Sequence, residues 1–266
     1  GYIVAMPDYA GFGASPVTHH PYVNLALGKS VAGIVACAVA NFRDNGIVYL
    51  TGYSEGGYAT MAGALALSSV GLAASKVVPC DGPYDLSGTM RAQMLHGTDV
   101  KVPSYLLYTA SGYKAVHGGV VDYAQLLLPP YAALLTTDDQ FDGNHTNAQI
   151  DALDLPTTPS QMLIDGPANA LLALPPAEGE AGGAVYELLA ANNAWNGWGT
   201  LVKPVFVHCP IDDVVPAANA AVAVEILGGG IRWVAPIPLV AQVMGSIHVG
   251  AYPPAMLEAF RILRGN

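Results

Sequence analysis

Charge is what this sequence has least of. Lys, Arg, Asp and Glu together make up 11% of its 266 residues, against about 25% in ordinary soluble domains. Cations are the scarcer half: 10 Lys and Arg face 20 Asp and Glu, for a net charge of −10. So few cations neutralise too few phosphates for nucleic-acid binding, and no nucleic-acid partner is expected. Long apolar runs are missing as well. The longest uncharged stretch lies between Glu55 and Lys76 and is broken by Gly56, Gly57, Thr60, Gly63, Ser68, Ser69, Gly71 and Ser75. A bilayer takes about 20 apolar residues to cross, so this stretch reads as a buried helix and no stable membrane span is expected. Cysteine is sparse too. Cys37, Cys80 and Cys209 are odd in number and match no zinc spacing, so neither a disulfide framework nor a metal site is expected. They read as small buried hydrophobes. Gly1-Tyr2-Ile3-Val4 lacks the basic segment of a signal peptide, although a mature exported protein has the same look.

What is present is apolar. The residues AVILMFWYC make up 52% of the chain, which excludes a disordered polymer. One α/β domain carrying an insertion fits the length. Short β-type runs alternate with Ala-rich helical stretches. Tyr2–Met6, Ile47–Thr51, Lys76–Cys80, Val205–His208 and Ile231–Val240 read as strands, the last weakened by Pro236 and Pro238. Ala26–Phe42, Tyr58–Ser75, Ala217–Leu227 and Ala255–Leu263 read as helices. Such alternation predicts a mainly parallel sheet covered on both faces. Residues 86–199 break the rhythm with leucine clusters and the pairs Pro129-Pro130 and Pro175-Pro176. They read as a helical cap inserted into a core of residues 1–85 and 200–266.

The sharpest motif is Gly52-Tyr53-Ser54-Glu55-Gly56-Gly57. It follows a β-branched run and opens a helix, the setting in which G-x-S-x-G forms a nucleophile elbow. The turn is too tight for side chains at the glycine positions, and it pushes the serine hydroxyl into the open. Serine is a weak nucleophile near neutral pH and needs a base and an orienting acid. Both follow in the order Ser, Asp, His. Asp212 ends the turn after Val205–His208, with Asp213 as the near alternative, and either one could instead cap a helix. His248 lies between the last strand and the last helix. His19 and His20 precede the serine, His96, His117 and His145 lie in the insertion, and His208 lies inside a strand.

These residues resemble the α/β-hydrolases, and within them the secretory-lipase-like esterases. The matching stretches are Gly1–Gly13, His20-Pro21-Tyr22, Gly52–Gly57, Gly82-Pro83-Tyr84-Asp85-Leu86, Trp198 ahead of Lys203-Pro204-Val205, Asp212 with Val215-Pro216, and His248. The resemblance implies the α/β-hydrolase fold. It also implies ester hydrolysis through an acyl-serine without metal or cofactor, and Asp212 rather than Asp213 as the acid. The backbone N–H of Glu55 is the oxyanion-hole donor that the motif supplies.

One departure stands out. Tyr2–Met6 resembles the fourth strand of the family sheet, and the strands before it, together with the third, are absent. An empty slot beside Ile47–Thr51 would leave backbone groups unpaired, so Tyr2–Met6 is expected to pair with that strand, the alternative being that a lost N-terminal segment or a second chain fills the slot. The Asp8-Tyr9-Ala10 turn would then offer a substitute oxyanion donor. The expected activity is carboxylic-ester hydrolysis on short- to medium-chain acyl esters, with a small-molecule or lipid ester as partner. A catalytically weak binding protein of the same fold is the competing reading. Low charge and the resemblance lean towards export.

Overall fold

The structure, a computed structural model, describes residues 1–17, 19–199 and 201–265. They form two compact units: Gly1–Asp8 with Leu25–Asp85 and Ala194–Asn266, and Tyr9–Asn24 with Leu86–Asn193.

The first unit is built on four parallel strands in the order β1-β2-β3-β4. They are β1 (Tyr49–Tyr53), β2 (Lys76–Cys80), β3 (Val205–His208) and β4 (Gly230–Trp233). Helices α1 (Leu27–Asn41), α2 (Glu55–Ala66), α3 (Ala218–Leu227), α4 (Pro238–Met244) and α5 (Ile247–Arg264) flank them. Parallel neighbours need crossovers, and α2 supplies the one between β1 and β2. Its surface is apolar all round, as a fully buried helix requires, and Gly57 to Ala64 are all buried. Small residues set how closely its neighbours approach: a Cβ on Gly63 would stand 2.5 Å from a Val31 methyl of α1.

On the sheet, Val78, Cys80 and Val207 pack against Ala255, Ala259 and Leu263 of α5. Lys76 Nζ, at the start of β2, donates to the carbonyls of Ile262 (2.8 Å) and Leu263 (2.9 Å). A cation there answers both the orphan carbonyls and the negative end of the helix dipole.

The structure corrects several expectations. Tyr2–Met6 is not a strand, and it lies largely exposed. It runs beside β1 through side chains, with the Tyr2 ring 6.4 Å from Tyr49 and 6.0 Å from Phe260. Among the described residues β1 pairs with β2 alone. The expected pairing assumed a central, fully covered strand. Only Leu50 of β1 is buried, so its outer edge has access to water. Ile231–Val240 is extended only as far as Trp233. Pro238 occupies the first turn of α4, where a missing N–H costs nothing. The last helix starts at Ile247 and runs through Pro253 and Pro254. Cys37 is exposed, while Cys80 and Cys209 are buried, and all three are free thiols. Cys80 stands opposite Val207, so the register sets it two residues away from Cys209. No helix among the described residues is long and apolar enough to cross a membrane.

The second unit is mostly short helices, with Ser104–His117 the longest. The stretch Tyr9–Asn24, which the sequence pattern left with the core, packs in this unit. Gly112 brings the helix Ser104–His117 so near that a Cβ would meet the backbone nitrogen of Tyr22 at 2.5 Å. His20 is buried there between Tyr9 and Phe12. Asn193 fastens the unit's ends. Its Oδ1 accepts from the N–H groups of Leu86 (2.8 Å) and Ser87 (3.1 Å), and its Nδ2 donates to Ser87 Oγ (2.9 Å).

Candidate active site

The turn from β1 into α2 holds Ser54. Its φ of 57° and ψ of −123° lie where non-glycine residues seldom sit, and such strain persists where the surroundings enforce it. Two glycines do so here. A Cβ on Gly52 would lie 2.3 Å from the Gly56 carbonyl oxygen, and one on Gly57 would lie 2.4 Å from that of Cys80. The Ser54 N–H donates to the Cys80 carbonyl at 2.9 Å, which ties the turn to the end of β2. Glu55 is the first residue of α2, so its N–H belongs to the positive end of the helix dipole.

Asp212, in the turn after β3, and His248, in the first turn of α5, come together. His248 Nδ1 donates to Asp212 Oδ2 at 2.5 Å. The other oxygen of Asp212 accepts from the N–H groups of Val214 and Val215, each at 2.8 Å. Burial pushes this carboxyl up, but the hydrogen bond and charge of His248 and the two N–H groups hold it below the usual carboxylate range. Asp212 is therefore an ionised acceptor, and its bond to Nδ1–H selects the tautomer in which Nε2 carries the lone pair.

The neighbouring Asp213 does something else. It accepts from Ser246 Oγ (3.0 Å) and from the N–H groups of Ile247 (3.0 Å) and His248 (2.9 Å). It caps α5 and fixes the backbone that carries the histidine. Asp213→Ala should cost roughly 1–3 kcal/mol of stability, read from the urea midpoint, and should lower any hydrolytic rate without abolishing it.

Tyr53 places the serine's strand beside this pair. Its hydroxyl donates to the His248 carbonyl at 2.6 Å, and its ring centre lies 4.9 Å from the His248 imidazole. Ser54 is the next residue. Among the described residues, however, no hydrogen bond joins Ser54 Oγ to His248. Catalytic contacts of this kind are often long before substrate binds.

Sequence reasoning passed over two groups at this place, Asp81 and His208. One oxygen each from Asp81 and Asp212 and one nitrogen of His208 lie within 4.8 Å of one another. This is a poor set of metal ligands. Asp212 has His248 on Oδ2 and two N–H groups on Oδ1, which leaves acceptor capacity on Oδ2 alone, and His208 Nε2 donates to the Val215 carbonyl at 3.1 Å. Asp81 read as a turn residue. The available signal was its place at the end of a strand next to the strand that delivers Asp212.

Parallel strands crossed by helices, a strained serine between strand and helix, and an acid–histidine pair after the later strands together make this an α/β-hydrolase fold. No protein-family model matches the chain, and no curated protein does. Solved structures do. A provisionally assigned hydrolase from Legionella pneumophila is 26% identical with a TM-score of 0.74, over 100% of this chain and 70% of that one. The rice cell wall degrading esterase LipA from Xanthomonas oryzae is 21% identical with a TM-score of 0.66, over 85% of this chain and 62% of that one.

Proposed function

We propose that the chain is a serine carboxylic-ester hydrolase acting through an acyl-serine. What carries this is the strained Ser54, next in the chain to the Tyr53 that packs on His248, together with the Nδ1–H of that histidine committed to an ionised aspartate. That commitment aims the other nitrogen at the work of a base. Ser54 Oγ attacks the ester carbonyl carbon while His248 Nε2 takes its proton. Asp212 stabilises the imidazolium so formed. The Glu55 N–H and the α2 dipole stabilise the oxygen of the tetrahedral intermediate. His248 then protonates the departing alcohol, and water releases the acyl group by the reverse sequence. The similarity to a hydrolase and to an esterase supports the reaction class. An insertion rich in Leu and Tyr and poor in charge favours uncharged short- to medium-chain esters.

A second reading, a weakly catalytic binding protein of the same fold, draws on the missing Ser54–His248 hydrogen bond and on the single oxyanion donor that can be named. Labelling with a fluorophosphonate separates the two. The hydrolase reading expects rapid labelling of wild type at Ser54, found by peptide mass, and no labelling of Ser54→Ala. Labelling no faster than that of free serine would favour the binding protein.

A further inference from the structure

The carboxyl of Asp81 is fully buried and has no use in the mechanism above. It follows β2 with φ of 43°, another strained position outside glycine. Its Oδ1 accepts the Cys209 N–H at 2.7 Å. No donor among the described residues reaches its Oδ2. A buried oxygen without a partner is costly, so the atom needs an explanation. The acidic group nearest at hand is Asp212: one oxygen of each carboxyl lies within 4.8 Å of the other, deep in the protein. Two carboxylates so close cannot both be ionised cheaply. Asp212 has three N–H donors holding its charge, whereas Asp81 has one.

We propose that Asp81 is a positioning residue of the active site: as the neutral acid, its O–H donates to Asp212 and holds the partner of His248 in place. The proton that one carboxyl keeps is the donor the other needs, so the orphan oxygen and the carboxyl pair have one explanation. The inference rests on the reading of Ser54, His248 and Asp212 as a triad.

The electrostatics agree. Burial, the charge of Asp212 and the shared hydrogen bond push Asp81 up to about 8, against the opposing pull of the Cys209 N–H. The other titratable groups around it are His208, Cys80, Cys209, Tyr53, Tyr84 and His248. No lysine or arginine of the described residues acts on it. His208, with Nε2 3.9 Å from Asp81 Oδ1, is kept neutral by burial, so it does not supply a balancing cation.

The sign of the stability effect follows. The unfolded chain releases the Asp81 proton near pH 3.9, while the folded chain keeps it to about 8. Asparagine has no proton to lose and still offers a donor and an acceptor. Asp81→Asn should therefore gain stability over wild type as pH rises from about 4 to about 8, with no gain below and a constant gain above.

The test uses Asp81→Asn and Asp81→Ala in the intact chain. Urea midpoints across pH should show that rising difference for Asp81→Asn. Infrared spectra at neutral pH should show a protonated-carboxyl stretch in wild type that is missing from Asp81→Asn. On an ester substrate, Asp81→Ala should lose roughly tenfold or more in kcat with KM little changed, and Asp81→Asn should recover most of that loss. A stability difference that is flat with pH, or no neutral-carboxyl band, overturns the proposal. So does an Asp81→Asn rate as low as that of Asp81→Ala. If wild type itself neither labels nor hydrolyses, it is the reading of Ser54 that fails, and the infrared and stability measurements still decide the state of Asp81.

Discussion

Ser54→Ala should abolish ester hydrolysis while leaving the fold as stable as before. Deleting the nucleophile of a serine triad costs roughly 10⁶-fold in kcat, because the remaining groups have no atom to which they can transfer the acyl group. The substitution is clean at this position. Alanine keeps the Cβ that serine already carries at φ of 57°, so the backbone strain is the same in both. Among the described residues no hydrogen bond from Ser54 Oγ holds a neighbouring element, so none of these is lost. The thermal midpoint should stay within about 1 °C, since surface or unbonded substitutions usually change stability by less than about 0.5 kcal/mol. The check is kcat on p-nitrophenyl acetate and butyrate beside a melting curve. An unchanged rate in Ser54→Ala would mean that hydrolysis, if any, occurs elsewhere on the chain.

The elements that proved readable are those whose causes are local. The elbow is one. Glycines on both sides of the serine, a β-branched run before and a small-residue run after, specify strand, tight turn and buried helix without help from distant residues. Val205–His208 is another, because three apolar residues and a histidine bounded by Pro204 and the turn at Cys209-Pro210 leave little choice. Tyr2–Met6 shows the opposite case. Its composition suits a strand, but it meets the sheet through the Tyr2 ring against Tyr49 and Phe260 rather than through backbone pairing with the edge of β1. That depends on sheet order, which local composition does not encode. The same holds for α5: the sequence reading starts it at Ala255, yet Asp213 and Ser246 cap it so that it starts at Ile247, about two turns earlier.

The site was readable to a similar depth. The chain order Ser, Asp, His and the places of Ser54 and Asp212 just after strands are visible in one dimension, whereas the helix α4 between β4 and His248 was read as part of a strand. The division of labour between Asp212 and Asp213 is not. It follows from which carboxyl faces the ring and which faces the N-terminus of α5, a difference of one residue in a turn. Asp81 was hidden for a related reason. Its significance comes from lying across the sheet from Asp212, and the strand pairing that brings β2 beside β3 joins segments separated by the whole insertion.

Asp212→Asn should reduce kcat by about 10⁴-fold, the effect of neutralising the triad acid in a serine protease. The amide has nearly the shape of the carboxyl and keeps an oxygen for the N–H groups of Val214 and Val215. What it lacks is a charge for the imidazolium and an acceptor that fixes the proton on Nδ1. The pH dependence of stability gives this residue its own signature. Because its folded-state carboxyl is held below the usual range, the stability it provides is fully present above the unfolded pKa of about 3.9 and is lost as pH falls through the folded value. The deficit of Asp212→Asn against wild type should therefore be constant at neutral pH and shrink on acidification below about 4. Asp81→Asn should show the reverse pattern, a gain that grows from about pH 4 upward, although the two carboxyls lie within 4.8 Å of each other. Opposite slopes from adjacent acids would mean that one proton is shared between them and resides on Asp81. If Asp212→Asn instead keeps its rate within tenfold while Asp213→Asn is crippled, then Asp213 is the acid and the hydrogen bond from His248 Nδ1 to Asp212 serves only to hold the ring.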